Sequence, residues 1–157
     1  MAKRKPPKPC ERCPELAISG QRFCKDCKKA VLAELKEAGY IVGICTNKPF
    51  ALAESLLTKL GVRGDFAALL GADSLAVRKP DPEHLFETVR RAGGHPEKCV
   101  LVGDTATDRD TSKAAGVPSI LVTFGPSGDD MAALEPEGFI NDYSELLGEV
   151  QRLIGAA

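Results

Sequence analysis

Aromatic side chains are scarce. The 157 residues include no tryptophan, two tyrosines and six phenylalanines. No apolar run approaches the ~18 residues of a membrane span, and the basic start runs into Pro6-Pro7 with no apolar core of a leader behind it, so the expectation is a soluble, cytoplasmic protein with no membrane partner. There are two histidines, His84 at a helix start and His95 beside Pro96, and neither sits in a ligand or base pattern. No Asp-x-Asp follows any apolar strand. Repeats are absent, and the only biased tract is the arm Met1–Pro9, Met-Ala-Lys-Arg-Lys-Pro-Pro-Lys-Pro, which reads as extended because its prolines lack donors and its charges repel.

The charge is unevenly spread. Residues 1–36 hold 10 Lys+Arg against 4 Asp+Glu, and the remainder 11 against 18, so a head of +6 precedes a body of −7. Such a head suits either a solvated basic surface or contact with the phosphates of a nucleic acid, although Phe23 is the only aromatic there to stack on a base. Within it, Cys10, Cys13, Cys24 and Cys27 form two C-x2-C pairs separated by ten residues. Four thiolates so spaced suit a closed tetrahedral Zn²⁺ site, which supplies folding free energy to a segment too small for a core; iron and two disulfides are the lesser readings. Cys45 and Cys99 stand alone in apolar runs and read as small buried hydrophobes.

Beyond the cysteines the pattern alternates. A helix is expected from Ala30, with Val31, Leu32, Leu35 and Ala38 on one face and Gly39 as its stop, then a strand Ile41–Cys45. The next helix turns Leu52, Leu56, Leu57 and Leu60 inward and ends at Gly61, and a strand covers Phe66–Leu70. Asp81-Pro82 caps a third helix that buries Leu85, Phe86 and Val89 and ends at Gly93-Gly94. Strand Cys99–Val102, helix Asp108–Ala115, strands Ser119–Phe124 and Gly138–Ile140 and helix Glu145–Ile154 complete the series, with Gly125-Pro126-Ser127-Gly128 as a loop. Strands alternating with helices imply an α/β fold, a parallel sheet flanked by helices with right-handed crossovers. The division expected is a basic arm over 1–9, a zinc knuckle over 10–29 and an α/β domain over 30–157.

Three strand ends carry chemistry. Ile44-Cys45 runs into Thr46-Asn47-Lys48-Pro49; Arg78-Lys79-Pro80-Asp81-Pro82 follows the next strand; Val102-Gly103 leads to Asp104-Thr105-Ala106-Thr107-Asp108. The mouths of strands are where an open α/β sheet places its ligands. In this order and spacing, these segments resemble the second, third and fourth motifs of the haloacid-dehalogenase (HAD) phosphohydrolases, most closely the phosphoglycolate phosphatase branch, over Ala30 to Ile154.

The resemblance implies a Rossmann-like HAD sheet and Mg²⁺-dependent hydrolysis of a small phosphorylated metabolite. It implies that Thr46 and the Asn47 amide bind a phosphoryl oxygen and that Lys79 sets its charge against the phosphate and a neighbouring carboxylate. Asp104, with Asp108 through water, would hold Mg²⁺. For an isolated Gly-Asp, helix capping is the simpler role of such carboxylates. The family's first motif, an attacking aspartate followed two residues later by an acid–base aspartate, has no counterpart, and neither has its cap domain. Negligible turnover is therefore the expectation. That motif's strand would lie between those ending at Thr46 and Asp104. Either these two strands pair directly, or Glu15-Leu16-Ala17-Ile18-Ser19 inserts between them, or protomers exchange strands in a homodimer.

Overall fold

The computed structural model describes residues 25–125 and 130–157. Cys10, Cys13 and Cys24, the basic arm and residues 126–129 lie outside the described residues, and so does the zinc knuckle expected over 10–29 except for its last five residues, 25–29. Cys27 falls on the backbone of the first helix, α1 (Lys25–Glu37), which begins five residues before the expected Ala30.

Strand β1 (Gly43–Cys45) leads to α2 (Phe50–Lys59), β2 (Ala68–Leu70), α3 (Pro82–Ala92), β3 (Leu101–Gly103), α4 (Ala106–Ala115), β4 (Ser119–Val122), β5 (Gly138–Ile140) and α5 (Leu146–Ile154). Every pairing is parallel. The fold is thus α/β with α-helices between successive strands up to β4, as the alternation predicts, and a short 3-10 turn over 131–134 before β5.

Local chemistry sets the helix ends. Asp81 caps α3 by accepting from the Glu83 N–H at 2.9 Å, with Pro82 in the first turn. Gly93 and Gly116 close α3 and α4 at φ of 87° and 67°, a left-handed backbone that a side chain would strain. Strands β2 and β4 are buried along their whole length, as expected of parallel strands covered on both faces.

Among the described residues the strands form two sheets. β1 pairs with β2, and β3–β4–β5 form a separate sheet; among the described residues no ladder joins β1 to β3. Direct pairing of the strands that end at Thr46 and Asp104, one of the three arrangements expected, is therefore not what forms. Helices join the halves instead. α3 packs on β1, β2 and α4, and Leu85, Leu101 and Val117 share a cluster with Cys45, Phe86, Val89 and Cys99. On the other face Val31 and Leu35 of α1 meet Ile120, Val122, Ile140, Leu146 and Val150, with Val42 packed against them.

One helix departs in part from expectation, with Leu57 and Leu60 half-buried but two of its leucines facing out. Leu52 and Leu56 are 60% and 47% exposed, and Ala53 is the buried residue of α2. Helical periodicity marks an apolar face but not the side on which the protein lies, and α2 covers only the outer strand β2 and the turn at 63–65.

Candidate functional site

All five site residues from the motif segments line one cleft of about 290 Å³, together with Lys48, Thr105 and Thr107. Thr46 and Asn47 come from the end of β1, Lys79 from the segment before α3, and Asp104 and Asp108 from the turn between β3 and α4. The cleft therefore straddles the two sheets.

Asp108 is the organising group. Its side chain is 6% exposed and that of Lys79 10%, and the Lys79 ammonium donates to Asp108 Oδ1 at 2.6 Å. The other oxygen, Oδ2, accepts from the Asp104 amide at 3.1 Å, the Thr105 amide at 3.2 Å and the Thr105 hydroxyl at 2.9 Å. The Thr105 hydroxyl accepts from the Asp108 amide in return, a reciprocal capping box at the start of α4. This carboxylate thus both caps α4 and pairs with the Lys79 ammonium. Gly103 makes the arrangement possible, because a Cβ there would lie 2.3 Å from Asp108 Cβ and Cγ.

The opposite wall is fixed from the backbone. The Thr46 hydroxyl accepts from the Lys48 N–H at 3.1 Å, and the Asn47 amide group donates to the Lys79 carbonyl at 2.9 Å, tying the first loop to the second. Asn47 thereby holds the Lys79 backbone in place with its side chain.

Two supports were not visible in the sequence. His84 is fully buried, its Nδ1 3.1 Å from Cys45 Sγ and its Nε2 2.8 Å from the Gly71 carbonyl, so α3 grips the ends of both β1 and β2. Burial pushes the Cys45 thiol up, with nearby Lys79 opposing, and pushes Cys99 up to about 11, so both are protonated thiols at neutral pH; both are half-buried rather than fully buried as the sequence suggests. Arg109, 7% exposed, bonds Glu137 at 2.8 Å, Ser119 at 3.1 Å and the Leu134 carbonyl at 3.1 Å. Burial alone would raise Glu137, but donors from Ser119, its own backbone and Arg109 prevail and hold it below the usual carboxylate range. Each partner lies ten or more residues away, so no local spacing could announce it.

Magnesium is the ion the resemblance implies, and the donors suit it. Mg²⁺ keeps several waters and takes one or two carboxylates plus phosphate oxygens. Burial, and then the like charge of Asp108, raise the Asp104 carboxyl above its ordinary 3.8, a cost that a bound cation would relieve. Asp104 would be the direct ligand, since Asp108 is already bonded at both oxygens. No group of three or more His, Cys, Asp or Glu gathers among the described residues, so the ion would rely on water and substrate for its remaining positions.

A testable pH dependence follows from the sign of this shift. A carboxyl raised in the folded state costs stability as pH climbs from its unfolded to its folded value, and the cost persists above both. Asp104→Asn is expected to raise the melting temperature of the metal-free chain at pH 7 and not at pH 3. Mg²⁺ is expected to raise the melting temperature of the wild-type chain only, as read by scanning calorimetry with and without the ion.

With the fold and cleft in view, comparison with known proteins gives the class: the chain belongs to the haloacid dehalogenase-like hydrolases, whose family model matches residues 13–116. More particularly, it is similar to phosphoglycolate phosphatases. The enzyme of that name from Mesorhizobium japonicum is 45% identical over 127 residues, covering 80% of this chain and 56% of the relative, and that from Agrobacterium fabrum is 43% identical over 115 residues, covering 73% and 49%. In structure the chain is similar to a predicted phosphoglycolate phosphatase from Haemophilus somnus, with a TM-score of 0.70 and 30% identity over 76% of this chain and 54% of the other. The chain spans about half the length of the curated relatives it matches. Among the described residues no helix is long and apolar enough to cross a membrane.

Proposed function

We propose that the cleft binds the phosphoryl group of a small phosphomonoester of the phosphoglycolate kind, together with Mg²⁺ at Asp104. The observation that carries this reading is the convergence of Thr46, Asn47, Lys79 and the Asp104/Asp108 pair on one cleft, from three separate loops. Thr46 and the Asn47 amide donate to phosphoryl oxygens. Lys79, set by Asp108 and by its carbonyl bond to Asn47, adds positive charge, and pre-aimed donors and charge are the larger part of stabilising a transferring phosphoryl group. Magnesium, when bound, would neutralise phosphate charge on the Asp104 side. Among the described residues no further carboxylate lines the cleft to act as nucleophile. Ligand binding without appreciable hydrolysis is therefore the activity assigned to the chain by itself.

Calorimetric titration with inorganic phosphate in Mg²⁺ tests the binding, alongside release of phosphate from phosphoglycolate. Binding is expected in the wild-type chain and loss of at least tenfold in affinity in Lys79→Ala, with turnover at the background rate. Mg²⁺-dependent hydrolysis abolished by Asp104→Ala would overturn the assignment of impairment.

The second reading concerns the head. The spacing of Cys10, Cys13, Cys24 and Cys27 supports a structural Zn²⁺ site, and the +6 charge of residues 1–36 supports contact with a nucleic acid or an acidic protein partner. Metal analysis of the purified chain checks the first. A salt-dependent gel shift with RNA or DNA, lost in Cys24→Ser, checks the second.

A further inference from the structure

Most of the cleft wall is taken up by phosphoryl and Mg²⁺ binding: Thr46, Asn47, Lys79, Asp104 and Asp108 directly, and Thr105 through its bonds to Asp108. Lys48 and Thr107 line the same cleft and have no part in that task. Lys48 is the charged one of the two. The Lys79 ammonium is held by Asp108 at 2.6 Å, and Asp104 is the carboxylate left for Mg²⁺, whereas the Lys48 ammonium has no carboxylate partner among the described residues.

The backbone that carries Lys48 is anchored from two sides. Its N–H donates to the Thr46 hydroxyl at 3.1 Å, and its carbonyl accepts from the Ala72 N–H at 3.0 Å. Asp73 accepts from the Phe50 N–H at 2.7 Å, so the loop entering α2 is tied to the turn after β2 by two bonds. Gly71 lets that turn press close, because a Cβ there would lie 2.8 Å from the Lys48 oxygen and 2.4 Å from the Phe50 nitrogen. An exposed lysine thus stands on a fixed backbone at the cleft, two residues beyond Thr46.

We propose that Lys48 recognises a second anionic group of the bound phosphomonoester, a carboxylate, and so selects acidic phosphomonoesters over those with a neutral tail. This rests on the phosphoryl-binding role given to the cleft above, and it adds the residue that meets the rest of the ligand. Charge arithmetic supports it. A phosphomonoester brings about −2 at neutral pH, the Lys79–Asp108 pair sums to zero, and Mg²⁺ on Asp104 leaves +1. A carboxylate tail adds a further negative charge, and Lys48 is the lining cation with none yet to answer. The Cα atoms of Thr46 and Lys48 lie at most about 7 Å apart, which suits a short ligand whose two anionic groups are separated by a carbon or two. An ammonium is a compact charge with three rotatable donors, so it reads the charge of the tail, whereas the Thr107 hydroxyl is neutral and cannot.

Calorimetric titration of the full chain in Mg²⁺ at fixed ionic strength, with phosphoglycolate and with ethyl phosphate, which carries a methyl group in place of the carboxylate, tests the proposal. The wild-type chain is expected to bind the acid about tenfold more tightly. In Lys48→Met, which keeps an unbranched stem and loses the charge, the ratio of the two affinities is expected to fall to within about twofold. In Lys48→Arg, which restores the charge, it is expected to stay above about fivefold. A wild-type ratio near one, or a ratio unchanged in Lys48→Met, overturns the proposal while phosphoryl binding stands. Loss of the preference in Lys48→Arg as well would place its source in the shape of the loop rather than in the charge, and also overturns it. If the wild-type chain binds neither ester nor inorganic phosphate, the phosphoryl-binding role itself falls, and the role of Lys48 with it.

Discussion

Asp108→Ala is expected to lower the unfolding free energy by about 3–5 kcal/mol, because it leaves the nearly buried Lys79 ammonium without its 2.6 Å carboxylate. Loss of the capping box at the start of α4 adds about 1 kcal/mol. The penalty is chiefly that of an uncompensated buried charge rather than the worth of the pair, and the double variant shows this. Lys79→Met in the Asp108→Ala background is expected to recover a large part of the loss, since a buried ion pair replaced by apolar groups is often near neutral. Urea denaturation of the four proteins of this cycle checks both statements. If Asp108→Ala is as stable as wild type, the pair does not exist in solution as described. Phosphate binding is expected to vanish in both variants, since each takes away part of the machinery that aims charge at the cleft.

Gly103→Ala is the second substitution of large effect, and it acts through space rather than charge. Its Cβ would fall 2.3 Å from Asp108 Cβ and Cγ and 2.5 Å from Oδ2, where the neighbour is a short, capped side chain that cannot swing away without breaking its four bonds. Overpacking of this kind is expected to cost about 3 kcal/mol, with the β3–α4 turn displaced and Mg²⁺ binding at Asp104 lost. Gly148→Ala makes the contrast. It lies within α5 with open space around its Cβ, and is expected to stabilise by about 0.5–1 kcal/mol through helix propensity alone. Thermal melts of the two variants in one buffer should move in opposite directions. If they move together, the crowding at Gly103 is not what holds that turn.

Much of this architecture is legible in the chain because its signals are local. Asp81-Pro82 and Gly93 mark α3 at both ends, and β1, β3 and β5 are short apolar runs bounded by turn residues. The cleft is legible for a related reason: Thr46 and Asp104 each stand just beyond such a run, Lys79 stands in the segment just before α3, and parallel strands bring their carboxyl ends to one side. What was hidden depends on distance or on packing. His84 is an ordinary helix-start residue until Cys45 and the Gly71 carbonyl, 39 and 13 positions away, close around it. Arg109 resembles any charged helical residue until Glu137 and the 134–135 carbonyls arrive from 25 to 28 positions downstream. The helical period of Leu52 and Leu56 predicts an inward face, but which side of α2 is covered depends on the sheet edge it meets. The separation of β1 from β3 among the described residues carries no local signal, since direct pairing of two apolar strands reads the same in the sequence.

The two sheets also govern how ligand occupancy would be felt. Thr46, Asn47 and Lys79 ride on one panel and Asp104 and Asp108 on the other, with the Lys79–Asp108 bond and the α3–α4 packing as the clasp between them. A phosphoryl group seated across both panels would act as a second clasp. Occupancy would then be read as added stability of the contact between these two groups of residues, growing with ligand concentration.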